Sequence, residues 1–175
     1  MSDMANAIMD AAERRMRLGG YGGFSFRDIA AEVGIKSASV HYHFPTKEDL
    51  AAAVVHRYSD SIAQQIDEAL EQEPDPVKVW TQAFRATLHS EARMCPAAVV
   101  GAARHDMPPR VVAEVERYFQ MHLGKLAAAG VATERAEKLL ATLTGAVVVA
   151  TAIGDLTAYD RATTALTKAP KSATA

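Results

Sequence analysis

The sequence predicts an all-α protein, because its composition, its periodicity and its helix-boundary residues all favour that class. Of the 175 residues 49% are hydrophobic but only 6% are aromatic, and alanine, leucine and valine supply most of the apolar content. That balance is typical of closely packed helices. Apolar residues recur at helical spacing, and neither strand-like alternation nor an internal repeat is found. The length suits one good core, or two small helical domains that share a long element.

The first helix is predicted from Ile8, Ala12 and Met16, which recur at helical spacing. Gly19 and Gly20 end it, since glycine is the usual residue just past a helix C-terminus.

Two short helices follow. Ser25 with Asp28 three residues later predicts an N-cap with a carboxylate in the first turn, and Gly34 ends this second helix. Ser37 is predicted to cap a third helix that stops near Pro45, because proline disfavours helical backbone in the residue before it.

A much longer fourth helix begins at Thr46, where Asp49 repeats the capping pattern. Its apolar stripe has a strict spacing of four, so it creeps about 40° per step around the helix. The two ends of the stripe must therefore face different neighbours, as a connector between two helical units requires. The stripe consists of Leu50, Val54, Tyr58, Ile62, Ile66 and Leu70.

After a polar break at 71–75, the rest of the chain is predicted to form further helices. Asp106 with two following prolines marks one start, and Gly130 before Thr133 separates two others. The expected helices are 76–90, 95–104, 108–129, 133–153 and 155–168, and residues 169–175 are expected to be a disordered tail.

The segment that begins at Phe26 matches the helix-turn-helix pattern. A small residue stands where two helices nearly touch, glycine stands at the turn, and apolar residues stand where the pair packs on its neighbours. Within a 20-residue window these positions are filled by Ile29, Ala30, Val33, Gly34, Ile35 and Val40.

These residues lie within the run GYGGFSFRDIAAEVGIKSASVHYHFPTKEDL. Its last nine residues, YHFPTKEDL, form a specific motif. The region from about residue 5 to 58 resembles the DNA-binding domain of TetR-family transcriptional repressors. The resemblance implies that residues 36–43 form the recognition helix in the major groove. It also implies that Ser25, Arg27 and Lys47 bind backbone phosphates.

Short side chains at the start of this helix suit base contacts, because Ser37 and Ser39 can reach base edges and Ala38 can abut a thymine methyl. The candidate DNA-contacting residues are Ser25, Arg27, Lys36, Ser37, Ala38, Ser39, His41, Tyr42, His43 and Lys47.

Two positions depart from the family. His41 stands where the family most often has a phosphate-contacting tyrosine; a neutral histidine can still donate one hydrogen bond, and we expect this contact to be sensitive to pH. Met16 stands near the usual position of a phenylalanine and can fill the same space. A metal site at His41 and His43 is disfavoured, because residues two apart point to different faces of a helix.

Charge favours DNA only locally. The formal net charge is −2, but residues 14–47 carry six basic and two acidic side chains. The arginines at 14, 15 and 17 either add phosphate contacts or form a solvated face.

The second half carries weaker signals. The uncharged run at 139–154 is 16 residues long, short of a bilayer span, and is interpreted as a buried helix. Two helices near the chain end, within 133–168, are expected to form a homodimer interface. Candidate ligand-binding residues are Trp80, Phe84, Met94, Cys95, Tyr118 and His122, beside Phe119 and Met121 as further pocket candidates.

The single cysteine, Cys95, precedes a proline-started helix, where a thiol pKa can be lowered, so it is either a reactive sensor or a buried structural residue. The lone cysteine also excludes an intrachain disulfide framework, and the N-terminus lacks the order of a signal peptide, which favours the cytoplasm.

The sequence therefore predicts an N-terminal three-helix DNA-binding domain (1–58) joined by a long helix to a ligand-binding and dimerisation domain (59–168). The expected function is a ligand-responsive repressor that binds a palindromic double-stranded DNA operator as a homodimer and is released by an unknown small-molecule inducer. No cofactor, metal, membrane or catalytic role is expected, because no nucleophile–base motif or phosphate-cradling loop is found. The alternative is a helical thiol-based electrophile sensor, or a small enzyme, that does not act through DNA.

Overall fold

A computed structural model describes residues 2–89 and 94–167, and this part of the chain contains only helices and connecting segments. The all-α class is thereby confirmed. The α-helices are α1 (Asp3–Gly19), α2 (Phe26–Val33), α3 (Ser37–His43), α4 (Lys47–Gln72), α5 (Pro76–Thr87), α6 (Pro96–Gly101), α7 (Pro109–Ala128), α8 (Thr133–Ile153) and α9 (Thr157–Thr163). Short 3-10 helices lie at Tyr21–Gly23 and Arg104–Asp106.

Most predicted boundaries agree with these bounds to within two or three residues, because local caps set them. Ser37 is an exception: Lys36 is the N-cap of α3, no side chain caps this helix, and Ser37 is its first residue. The helices expected at 95–104 and 155–168 are shorter, at Pro96–Gly101 and Thr157–Thr163. The expected tail at 169–175 lies outside the described residues.

The chain packs as two compact units. One holds the chain up to Ala63 together with Met94–Met121, and the other holds the described residues of the remaining segments, from Gln64 and from His122 onward. The division at residue 58 into a DNA-binding and a ligand-binding domain stays a prediction, and the compact units do not coincide with it.

The first unit has one apolar core shared by α1–α4 with α6 and α7. Ile8, Met9 and Met16 of α1 are fully buried there, as are Leu50 of α4 and Val111 of α7. Residues far apart in sequence therefore complete the packing around the N-terminal helices, which is why α6 and most of α7 group with them.

The second unit is built on α5, α8 and α9. Trp80 and Tyr159 are fully buried, and the Tyr159 hydroxyl donates a hydrogen bond to the Thr81 carbonyl at 2.8 Å. On the surface of this unit Arg85 forms an ion pair with Asp160. These contacts join α5 to α9.

Helix α8 buries only one of its faces, so the interpretation of 139–154 as a buried helix is wrong for the other face. Val148, Val149 and Ile153 are 44%, 53% and 60% exposed. By length and composition alone this helix could cross a membrane, but core helices of soluble proteins meet the same criterion. The buried face consists of Ala136, Leu139, Leu140, Leu143, Ala146, Val147 and Ala150.

Candidate nucleic-acid interface

The predicted helix-turn-helix is present in α2, α3 and the turn between them. Gly34 ends α2 with φ +78°, a left-handed conformation that glycine adopts without a Cβ penalty. The N–H groups of Gly34 and Ile35 both donate to the Ala30 carbonyl, at 3.0 and 2.9 Å. Ile29 and Val40 are fully buried and anchor the two helices to the core of the first unit. The pair is therefore held rigidly enough to present one face of α3.

That face is defined by which side chains of α3 reach solvent. With Val40 buried, Ala38, His41 and Tyr42 are exposed, and they stand at i, i+3 and i+4 on one side of the helix. Tyr42 is 85% exposed, a large value for an aromatic residue. The other candidates on this helix, Ser37, Ser39 and His43, are half-buried. The predicted recognition residues thus lie together on α3. The most exposed of them are Ala38, His41 and Tyr42, and not the two serines at the start of the helix.

His41 is fixed by two neighbours. Its Nδ1 lies 3.3 Å from the Pro45 carbonyl oxygen, and its ring meets the ring of Phe26 at a centroid distance of 4.6 Å and 69° between planes. A carbonyl can only accept a hydrogen bond, so Nδ1 must donate. The one donor of the neutral ring is then already used. The expectation that a neutral His41 donates to phosphate is thus corrected.

Lys47, at the start of α4, is a positioned cation. Its Nζ lies 4.6 Å from the ring centroid of Tyr21 and 4.7 Å from that of Phe24. Burial lowers the pKa of Lys47, while the charge of Asp28 opposes this. Sequence reasoning found the lysine but missed the two rings that hold it, because aromatic residues in a glycine-rich segment carry no pattern.

The Ser25 side chain is occupied by a capping box at the start of α2. Its Oγ accepts from the Asp28 N–H at 3.2 Å and donates to Asp28 Oδ2 at 2.7 Å, and the Ser25 N–H donates to the same carboxylate at 2.9 Å. The hydrogen bond from Ser25 lowers the pKa of Asp28. A phosphate at Ser25 would have to compete with this cap. Arg27 and Lys36, by contrast, have exposed side chains.

The arginines of α1 form ion pairs within the protein, whereas phosphate contacts or a solvated face were expected from the sequence. Arg14 and Arg15 bind the two oxygens of Glu32 on α2, at 2.8 and 2.7 Å. The hydrogen bond from Arg14 lowers the pKa of Glu32. Arg17 pairs with Glu13 at 2.7 Å and lies 5.0 Å above the Tyr58 ring. These residues lock α1 to α2 and α4.

A polar clasp joins the first turns of α4 and α7. The Glu48 Oε1 accepts the backbone N–H of Arg110 at 3.0 Å, and the Arg110 guanidinium binds Asp49 Oδ1. Asp49 Oδ2 accepts from the Thr46 hydroxyl at 2.7 Å and from the Thr46 N–H at 3.1 Å, as the predicted cap requires. Sequence reasoning missed Arg110, because a pair of residues about 60 apart leaves no local signal.

The candidate ligand-binding residues fall into two groups. In the second unit, the Trp80 indole N–H donates to His122 Nδ1 at 3.1 Å, and the Phe84 ring lies 5.5 Å from the His122 ring. Both His122 and Trp80 are fully buried. Burial lowers the pKa of His122 to about 4, with a smaller contribution from Lys125. The bond from Trp80 and the low pKa together keep this histidine neutral.

The other group lies in the first unit. Cys95 is buried at 6% exposure, and burial raises the pKa of its thiol, although hydrogen bonds with Tyr118 and Tyr58 oppose the rise. The Tyr118 and Tyr58 rings are 5.9 Å apart, and burial raises the pKa of both hydroxyls. The Met94 carbonyl accepts from Arg17 at 3.2 Å. These features are typical of a structural cysteine.

Comparisons with known proteins agree with this geometry. Residues 8–54 match the family described as bacterial regulatory proteins of the tetR family. The HTH-type transcriptional regulator LmrA of Bacillus subtilis (strain 168) is 37% identical over 83 residues. These cover 47% of this chain and 44% of LmrA, so the match spans less than half of that relative.

Solved structures extend the likeness along the chain. A TetR-family transcriptional regulator from Agrobacterium tumefaciens is 28% identical with a TM-score of 0.87, over 93% of this chain and 94% of that one. A TetR transcriptional regulator from Legionella pneumophila is 27% identical with a TM-score of 0.86, over 95% and 96%. Residues 8–54 thus form the helix-turn-helix domain of the TetR family of bacterial regulatory proteins, and the chain as a whole shares the all-α architecture of these two TetR-family regulators.

Proposed function

We propose that this protein is a DNA-binding transcriptional repressor that binds a palindromic operator as a homodimer and is released by a small-molecule inducer. The observation that carries the proposal is the exposed face of α3, with Ala38, His41 and Tyr42, on a helix-turn-helix anchored by Ile29 and Val40. A helix presented in this way can enter the major groove, where base edges are read.

Cations flank that face. Arg27 on α2 and Lys36 at the N-cap of α3 are exposed, and Lys47 is positioned over two rings. Cations around a recognition helix neutralise phosphates, and so supply most of the affinity that does not depend on sequence. The negative total charge makes this local arrangement more informative, because the chain as a whole does not attract DNA.

Helix α8 supports the homodimer. Its exposed face carries Val148, Val149 and Ile153, and a Cβ added at Gly145 of the same helix would have no atom within 4 Å beyond its chain neighbours and the helix's own backbone. Apolar side chains beside a small residue allow a second helix to approach closely, and a two-fold axis would then pair this face with its own copy. Two copies of α3 would read the two halves of a palindrome.

The inducer is proposed to bind the second unit, near Trp80, Phe84 and His122. An aromatic cluster with a neutral imidazole offers an apolar surface and a few polar atoms, which is the usual lining of a small-molecule site. An electrophile sensor at Cys95 is disfavoured, because the raised pKa of the thiol opposes formation of the reactive thiolate. A DNA partner and the free thiol of Cys95 both fit a cytoplasmic location.

The proposal is tested by selecting duplexes from a random pool with the purified protein, and then titrating a selected fluorescent duplex at several salt concentrations. We expect one palindromic sequence to emerge, with affinity that falls steeply as salt rises. Binding that is weak and indifferent to sequence would contradict the proposal.

Variants separate the roles within the site. Lys36→Ala should weaken binding to selected and random duplexes alike and should reduce the salt slope by about one. Ala38→Ser should change the preferred sequence. Lys78→Ala, on α5 in the second unit, removes the same charge far along the chain from α3 and is the matched control.

A further inference from the structure

The protonation state of His41 determines what this side chain can offer to DNA. Its Nδ1 donates to the Pro45 carbonyl at 3.3 Å, and the edge contact with Phe26 holds the ring in place. In the neutral ring only one nitrogen carries a proton, so Nε2 bears a lone pair. The structure thus selects one tautomer for the neutral residue.

A phosphodiester oxygen cannot bind that tautomer. Phosphate oxygens only accept hydrogen bonds, and the Nε2 lone pair of neutral His41 also only accepts. A second proton changes this, because an imidazolium donates from both nitrogens. The charged ring keeps its bond to Pro45 and can donate a charge-assisted bond from Nε2 to phosphate.

Charged side chains lie on the elements that adjoin α3 in the sequence. The carboxylates at the starts of α2 and α4 are already engaged: Asp28 with Ser25, Asp49 with Thr46 and Arg110, and Glu48 with the backbone of Arg110. The titratable and cationic groups that α2, α3 and the start of α4 carry at or near the surface include Arg27, Lys36, His43 and Lys47, together with the hydroxyl of Tyr42. An incoming phosphate adds an anion beside the ring, and an adjacent anion favours the charged form of an imidazole.

We propose, on the basis of the DNA-binding function above, that His41 binds a backbone phosphate as an imidazolium, so that operator binding takes up a proton and strengthens as the pH falls. Histidine is the side chain that ordinarily changes charge between pH 5 and 8, which is why the test spans most of that range. The same operator would therefore be held more tightly in acid.

The test is a fluorescence titration of the selected duplex from pH 5.5 to 8.5 at constant ionic strength. For the wild type we expect the association constant to fall as the pH rises, approaching about tenfold per pH unit for each subunit of the bound dimer at the steepest point. His41→Gln cannot take up a proton, so its pH dependence should be much flatter. His41→Tyr supplies a hydroxyl that donates at every pH, and it should restore tight binding at pH 8 without the slope.

The matched control is His105→Gln, in the 3-10 helix Arg104–Asp106, where an exposed histidine is removed from a different element. It should keep the wild-type slope. If His41→Gln keeps that slope as well, the proton is taken up elsewhere and the inference is overturned. Binding of the wild type that does not vary with pH overturns the inference but leaves the proposed function intact. Failure to bind any duplex overturns both.

The tautomer is tested without DNA. Long-range proton–nitrogen NMR correlations of the imidazole rings, assigned by the signals that His41→Gln removes, report which nitrogen of the neutral ring carries the proton. We expect Nδ1–H for His41. A neutral ring with Nε2–H would overturn the inference, since that form can bind phosphate without taking up a proton.

Discussion

At the scale of single residues, the clearest consequence of burial is at His122. The Trp80 indole N–H donates to its Nδ1, and burial lowers its pKa to about 4 from an ordinary 6.5. The unfolded chain therefore takes up a proton at a higher pH than the folded chain does. Stability that the neutral histidine maintains is lost as the pH falls from near 6.5 towards 4.

We expect the free energy of unfolding of the wild type to decrease across that range by up to roughly 3 kcal/mol from this residue, at about 1.4 kcal/mol per pKa unit. His122→Gln retains an acceptor for Trp80 but has no proton to take up, so its stability should depend less on pH. Urea denaturation at half-unit steps of pH measures both curves. Curves that stay parallel from pH 4 to 7 would show that the histidine titrates normally.

At the scale of helices, the start of α4 carries more interactions than its sequence signal indicates. Asp49 closes the cap with Thr46 and also binds Arg110 of α7, while Glu48 accepts the backbone N–H of Arg110. The cap is local and was predicted, whereas the clasp depends on residues far apart in sequence. The Arg110 side chain is 68% exposed and that of Asp49 is 19% exposed, so solvent screens the ion pair between them. We therefore expect the clasp to stabilise the fold less than the cap does.

Asp49→Ala should lower the free energy of unfolding by about 1–2 kcal/mol, since it removes the carboxylate that accepts from the Thr46 N–H and hydroxyl in the capping box, as well as an ion pair. Arg110→Ala should cost only about 0.5 kcal/mol, because solvent screens an exposed pair, and this cost should shrink further in high salt. Denaturant melts of both variants give the comparison, with Arg104→Ala at the exposed pair with Glu116 as control. Equal losses for Asp49→Ala and Arg110→Ala would mean that the clasp, and not the cap, carries the stability.

At the scale of the whole molecule, the homodimer that we propose rests on the apolar face of α8. Val149→Glu places a charge in the middle of the exposed group formed with Val148 and Ile153, so burying this face against a second copy becomes costly. We expect the dimer dissociation constant to rise at least about tenfold, as measured by sedimentation equilibrium.

Lys78→Glu introduces the same side chain on a different helix, α5, and should leave the dimer intact. The assembly proposal fails if Val149→Glu remains as dimeric as the wild type, or if the wild type is itself a monomer.

The features that could be predicted from the sequence are those that interactions between nearby residues determine. Ser25 with Asp28, Gly34 and Thr46 with Asp49 mark the helix ends because caps and turns form between residues at most four apart. The hydrogen bond from His41 to Pro45 is also local, but a side chain's rotamer leaves no pattern in the sequence. The rings around Lys47, the clasp at Arg110 and the joining of residues 94–121 to the first unit arise only when distant segments pack.

The packing of residues 94–121 into the first unit has a consequence for the folding of the chain during synthesis. The helix-turn-helix leaves the ribosome early, but part of its core, including Val111 and Val115 of α7, is synthesised more than 50 residues after α3 ends. At bacterial synthesis rates of about 5–20 residues per second, α2 and α3 wait several seconds for the helices that complete their packing. A nascent chain stopped after residue 63 should therefore be easily cleaved by protease, and resistance should appear only once residue 121 has emerged. The helix-turn-helix is therefore among the first parts of the chain to be made and among the last to be fully packed.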